Sequence, residues 1–212
     1  EKPTEDIKKV IKVAEDNMYK HKLLEHKSSH SAIIAMMKST MFNISCETEA
    51  HANRLTELAR KIGSKLELSR TQMDELELLA TLHDIGKLGI DRHILNKTEP
   101  LDEAEWAEMK KHTEIGFRIA MSTQELAPIA EYILSHHERW DGTGYPSGLK
   151  GEDIPLLSRI LSVIDAYDAM TSKRTYSDPI SREEACNELR NNAGTQFDPY
   201  IVEIFLSEEL VK

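Results

Sequence analysis

Ser69-Arg70-Thr71-Gln72-Met73-Asp74-Glu75-Leu76-Glu77-Leu78-Leu79-Ala80-Thr81-Leu82-His83-Asp84-Ile85-Gly86-Lys87 is the stretch on which the reading turns. Ser69 with Gln72 forms a capping box that opens a helix. Met73, Leu76, Leu79, Ala80 and His83 then recur at helical spacing, and Gly86 stops the run. His83 therefore shares the apolar face, with Asp84 directly after it. A buried imidazole beside a buried carboxylate needs partners, and a divalent cation satisfies both at once. The competing reading is a neutral core histidine hydrogen-bonded to its surroundings.

The same helical period extends in both directions. Upstream, His51, Leu55, Leu58 and Ile62 form one face, with Glu47 four residues before His51 on the same side. Downstream, Asp102 with Glu105 opens a helix predicted to carry Trp106, Met109, Thr113, Gly116 and Ala120 on its core face and His112 beside them. A further helix is predicted from Leu126 to about His137. Residues 139–155, with Gly142, Gly144, Gly148, Gly151, Pro146 and Pro155, read as a long loop of the kind that is usually functional or disordered. Leu156 to about Thr171 is the most apolar helix. Ser181 with Glu184 caps another, and Asp198-Pro199 begins the last. No strand pattern or repeat stands out, so the fold class is all-α, with residues 1–42 as an N-terminal linker helix region and 43–212 as the main domain.

Composition narrows the function classes. The chain has 212 residues, with 27 Lys and Arg against 37 Asp and Glu, for a net charge of −10. Long nucleic acid is a poor partner for so acidic a surface. No apolar run is long enough to span a membrane, and the charged start lacks the apolar segment of a signal peptide. Cys46 and Cys186 stand apart from any metal or redox spacing, which fits a reducing, cytoplasmic setting.

His136-His137-Glu138 is the sharpest cluster, expected by chance only about 0.05 times in a chain of this makeup. Adjacent helical side chains diverge by about 100°, so the two histidines are expected to serve two ions or two edges of one cluster. Asp165 sits in the apolar 156–171 helix, where an unpaired carboxylate is costly; its bland alternative is a salt bridge to Arg159 or Lys173. Asp168, nearly one turn on, is placed to orient a ligand by hydrogen bonding. Glu47, His51, His83, Asp84, His112, His136, His137 and Asp165 together exceed one tetrahedral zinc site. They suit two or three octahedral ions such as iron or manganese.

These residues resemble a known family. His83-Asp84-Ile85-Gly86-Lys87 and His136-His137-Glu138-Arg139-Trp140-Asp141-Gly142-Thr143-Gly144-Tyr145-Pro146, with Met109-Lys110-Lys111-His112 between, are similar to the HD-GYP cyclic di-GMP phosphodiesterases, a branch of the HD-domain metal-dependent phosphohydrolases. The likeness runs from about Glu47 to Leu206 and takes in Asp165-Ala166-Tyr167-Asp168-Ala169-Met170-Thr171 and Gly194-Thr195-Gln196-Phe197-Asp198-Pro199. It implies a helical bundle with the eight residues as metal ligands, and a trinuclear centre where a Glu stands four residues before the first His, as Glu47 does. It further implies hydrolysis of cyclic di-GMP to pGpG and onward to GMP, with Asp84 at the reacting centre. Lys87 would contact the phosphate near the metals, and Arg174 a phosphate of the dinucleotide. Gly144 and Tyr145 would shape the substrate loop, which in the family also contacts partner proteins. Two positions depart from the family pattern: Ser177 replaces a basic residue after Arg174-Thr175-Tyr176, and Asp91 replaces a Pro. The Ser177 departure keeps two alternatives open, a catalytically weak cyclic dinucleotide sensor and a phosphodiesterase for another cyclic dinucleotide. Ala14 to Lys22 is similar to the closing helix of diguanylate cyclase domains. That likeness implies the C-terminal piece of a longer signalling protein, with Glu5 to Met41 as a linker helix that either pairs two protomers as a homodimer or is a plain packing helix.

Overall fold

A computed structural model of the chain describes residues 32–44, 48–173 and 178–207. The predicted helix over Glu5 to Lys27, the Ala14–Lys22 segment, Cys46, Glu47 and residues 174–177 lie outside the described residues. The chain divides into two units, residues 1–39 and 40–212. In the first, residues 32–39 are helical; in the second, residues 40–44 are helical and bury Met41.

Helix α1, Glu49–Lys65, forms because His51, Ala52, Leu55, Ala59 and Ile62 fall on one face, while Thr48 caps its start by accepting from the His51 amide. That face packs against α2, Arg70–Leu82, which opens with the predicted Ser69–Gln72 capping box and buries Leu76, Leu79, Ala80 and Leu82. α1 also packs on α7, Leu156–Thr171, whose Leu157, Ile160, Leu161, Val163 and Ile164 complete the core. Each of these aliphatic side chains is at most a few per cent exposed, which at about 1.5–3 kcal/mol per buried Leu or Ile makes this three-helix seam the main driving force for folding.

After α2 the chain tightens into a 3-10 turn, Ile85–Gly89, that packs on α5, His112–Met121. Gly86 makes this approach possible: a Cβ there would lie 1.8 Å from the His112 carbonyl oxygen and 2.5 Å from the Gly116 amide nitrogen. Between them lie α3, Arg92–Leu95, and α4, Glu103–Lys110, the latter begun by the Asp102–Glu105 capping box. The single helix expected from Asp102 through Ala120 is broken at Lys111, so α4 and α5 are distinct. The break removes Trp106 from the core face: it is 47% exposed, and α4 buries no residue. The helix expected from Leu126 to His137 is likewise a 3-10 turn, Ala127–Ile129, followed by α6, Ala130–Ser135. α8, Arg182–Asn191, and α9, Pro199–Leu206, close the bundle against α7. No strand occurs among the described residues, as the all-α reading requires.

Candidate metal centre

The ends of α2 and α6 and the faces of α1, α5 and α7 converge on two groups of potential ligands. Asp84, His112, His136 and His137 form one, and His51, His83 and Asp165 form the other; within each group one ligand atom per residue lies within 4.8 Å of the rest. Seven of the eight expected ligands are thus brought together, while Glu47 lies outside the described residues. Asp84 joins the groups. Its Oδ2 is 3.2 Å from His83 Nε2, and its Oδ1 is 3.4 Å from His112 Nε2 and 3.9 Å from His136 Nε2.

His136 and His137 belong to the same group, which corrects the expectation that neighbours on a helix diverge too far. α6 ends at Ser135, and both histidines sit in the turn beyond it, where the 100° helical step no longer separates them. Their ring centroids are 4.0 Å apart.

The tautomers follow from acceptor-only neighbours. Nδ1–H of His112 donates to the Met109 carbonyl at 2.8 Å, Nδ1–H of His136 to the Ile133 carbonyl at 2.6 Å, and Nδ1–H of His51 to Asp168 Oδ2 at 2.7 Å. In each ring Nε2 is left as the lone-pair nitrogen. The Nε2 atoms of His112 and His136 therefore face each other as two lone pairs 3.4 Å apart, with Asp84 Oδ1 beside them. Asp84 Oδ1 is itself buried and accepts no hydrogen bond among the described residues. Converging lone pairs and an unsatisfied carboxylate oxygen repel one another in a dry site, and a cation would turn that repulsion into ligation. Nitrogen and oxygen donors together fit a divalent transition metal.

The electrostatics agree. Burial pushes the Asp84 carboxyl up, but the Lys87 ammonium, 2.8 Å from Oδ2, and His83 outweigh it and hold the group well below the usual carboxylate range. Burial, followed by the neighbouring His112, depresses His137 to about 3. His136 falls well below the ordinary imidazole value through burial and the adjacent His137, and burial also lowers His112. Neutral imidazoles are the ligating form.

Asp165 approaches His51 Nε2 at 3.5 Å. Of the two cations that its bland alternative offered, Arg159 or Lys173, Arg159 pairs with Asp198 at 2.6 Å. Asp168 takes the orienting position expected of it and is clamped from behind by Arg54, whose Nε donates to Oδ1 at 2.5 Å and Nη2 to Oδ2 at 2.9 Å. Arg54 was not singled out in the sequence, although its place three residues after His51 puts it on the adjoining face of α1. Glu138 also escaped a role: buried, it accepts from the backbone amides of Ser147 and Leu149 at 2.7 and 3.1 Å and so anchors the glycine-rich loop.

That loop folds over a cavity of about 530 Å³ beside the ligand groups, lined by His136, His137, Asp165, Gly144 and Tyr145 and, beyond them, by Trp106 and Lys110 of α4. A Cβ on Gly144 would meet the Arg139 amide nitrogen at 2.3 Å, so this glycine serves close backbone approach. The Tyr145 ring stacks on His137, with centroids 5.0 Å apart. Lys87 lies beside Asp84, and Arg174 is outside the described residues.

A family profile described as "HD domain" matches residues 29–201. A cyclic di-GMP phosphodiesterase of Thermotoga maritima is 43% identical over 167 residues, which is 77% of this chain and 45% of that protein. A 3′3′-cGAMP-specific phosphodiesterase of Vibrio cholerae is 40% identical over 162 residues, 76% of this chain and 31% of that one. This chain thus spans less than half the length of these relatives. Among solved structures, a cyclic GMP-AMP-specific phosphodiesterase of V. cholerae aligns with a TM-score of 0.62 at 25% identity, covering 79% of this chain and 46% of its own. An HD-GYP-type protein of Bdellovibrio bacteriovorus shares the fold, with a TM-score of 0.60 at 21% identity over 79% of this chain and 55% of its own. No helix among the described residues is long and apolar enough to cross a membrane.

Proposed function

The chain belongs to the HD domain family, with the Gly-Tyr-Pro motif of its HD-GYP branch at Gly144 to Pro146, and from that premise we propose that it is a metal-dependent phosphodiesterase of cyclic di-GMP. Water adds across a P–O3′ bond, leaving a 5′-phosphate and a 3′-hydroxyl in linear pGpG; a second hydrolysis yields GMP. The observation that carries the reading is the pair of facing Nε2 lone pairs on His112 and His136 beside the unsatisfied Asp84 Oδ1.

His51, His83, Asp84 and Asp165 would hold one ion and Asp84, His112, His136 and His137 another, iron or manganese by the mix of donors. Glu47 would add a ligand for a third. Ions so held supply Lewis-acid polarisation of a phosphoryl oxygen and lower the pKa of water at the site. With three ions bound, their +6 would exceed the −3 of Glu47, Asp84 and Asp165, so an acidic protein presents a locally positive site to a phosphate. The side chains do the rest. Asp84 offers one oxygen to each ligand group, Asp168 and the Met109 and Ile133 carbonyls hold three imidazoles in the ligating tautomer, and Lys87 is beside Asp84 to meet a phosphate oxygen. Gly144 and Tyr145 line the space the dinucleotide enters, and Arg174 would contact its phosphate. Residues 43–212 would form the catalytic domain, with residues 1–42 linking it to a signalling domain or pairing protomers in the cytoplasm.

The test is protein loaded anaerobically with Fe(II) or Mn(II), given cyclic di-GMP and assayed for pGpG and GMP. Turnover is expected; no turnover of cyclic di-GMP with either metal, alongside measurable binding of the nucleotide, would favour a sensor. Glu47→Ala should lower the metal content by about one ion per chain; an unchanged content rules out the third site. The 40% identity to a cGAMP-specific relative favours a second reading, in which 3′3′-cGAMP is the preferred substrate; relative kcat/KM for the two dinucleotides decides it.

A further inference from the structure

Trp106 is a large aromatic residue with no place in the core. It is 47% exposed, on a helix that buries none of its residues, yet it lines the same cavity as His136, His137 and Asp165. Its position is nonetheless defined. The Trp106 ring meets the Tyr145 ring edge to face, with centroids 6.4 Å apart, and Tyr145 stacks in turn on His137. Lys110, four residues on and therefore on the same face of α4, holds its ammonium 5.8 Å from the Tyr145 ring centroid. The wall facing the metal groups thus carries an exposed indole, a buttressing phenol and a cation.

We propose that Trp106 is a nucleobase platform: it stacks one purine of the cyclic dinucleotide while Lys110 faces the adjoining phosphate. This rests on the phosphodiesterase reading and adds substrate positioning that the metal groups cannot supply, since ligated metals grip phosphate and are blind to the base. An indole offers a stacking face to any purine, and a neighbouring ammonium suits a base flanked by phosphate. Tyr145 has a double part, closing the space over His137 and fixing the angle at which Trp106 presents its ring.

The test compares wild type, Trp106→Phe and Trp106→Ala, all metal-loaded, with cyclic di-GMP. Trp106→Ala should raise KM by about 5- to 150-fold, the range of one base–aromatic stack, with kcat changed far less, and Trp106→Phe should recover most of the loss. The chain has 2 Trp, so in a Trp140→Phe background the emission comes from Trp106 alone and should be quenched as cyclic di-GMP is titrated in. Metal content and thermal unfolding of the variants separate lost stacking from lost structure; should Trp106→Ala unfold, the quench and the Phe variant decide. A wild-type KM in Trp106→Ala, or unquenched Trp106 emission at saturating nucleotide, overturns the platform while leaving the enzyme reading intact. Failure of the wild type itself to bind or turn over a cyclic dinucleotide overturns both, and is seen before any variant is made.

Discussion

Asp168→Asn should weaken metal binding even though Asp168 belongs to neither ligand group. Its side chain is 3% exposed and takes donors on both oxygens: Arg54 Nε and Ser172 Oγ at Oδ1, His51 Nδ1 and Arg54 Nη2 at Oδ2. An amide has one acceptor oxygen, so in either orientation its NH2 confronts donors. If the NH2 faces His51, the ring is driven to carry its proton on Nε2, the atom aimed at Asp165, and that nitrogen can no longer ligate. If it faces Arg54, the guanidinium is left half unpaired. Loss of an orienting partner of this kind lowers metal affinity by about 10- to 100-fold, or about 1.4–2.7 kcal/mol. The loss should fall on the ion held by His51, His83 and Asp165 and spare the other group. Manganese titration calorimetry of the purified protein, with metal content after dialysis, measures both points. Affinity within twofold of wild type at every site would refute the claim that the fully paired Asp168 carboxylate supports the His51 group.

The stability of the metal-free protein should depend on pH in a stated direction. His137 is depressed to about 3, whereas the unfolded chain titrates near 6.5. Between those values only the unfolded state takes up the proton, so stability falls as pH drops below about 6.5, by up to about 1.4 kcal/mol per pH unit for each such histidine. The carboxylates held low, Asp84 and Asp168, are ionised in both states above pH 5.5 and do not mask the effect. The urea midpoint should be lower at pH 5.5 than at 7.5; an unchanged or higher midpoint contradicts the buried neutral imidazoles. Gly86→Ala should lower thermal stability by about 1–3 kcal/mol and displace His112, because the added Cβ strikes backbone that cannot rotate away. Normal stability with normal metal binding would show that the approach of the 3-10 turn to α5 can relax.

Local chemistry made much of this protein legible along the chain. The capping boxes at Ser69, Asp102 and Ser181 begin helices where they were expected, because a cap involves residues three apart and needs nothing beyond its own turn. The burial of His83 likewise follows from its place in the Leu76–Leu79–Ala80 stripe. Helix ends are not legible in the same way. The break at Lys111, which exposes Trp106, and the end of α6 at Ser135, which lets His136 and His137 share one group, depend on how neighbouring segments pack, and periodicity continues through both points.

By itself the sequence determined the helical class, the start of most helices and the residue types of a candidate metal site, since spacing, capping and the exclusion of charge from apolar faces act within a few residues. The tertiary structure alone decided that α1, the end of α2, α5, the turn after α6 and α7 bring seven candidate ligands into two groups joined by Asp84. It also decided that Arg54 reaches Asp168, that Glu138 anchors the loop, and that Trp106 stands at the cavity. Each of these contacts joins residues far apart in the chain, and their distances are set by which helices pack together, a property that no local pattern encodes.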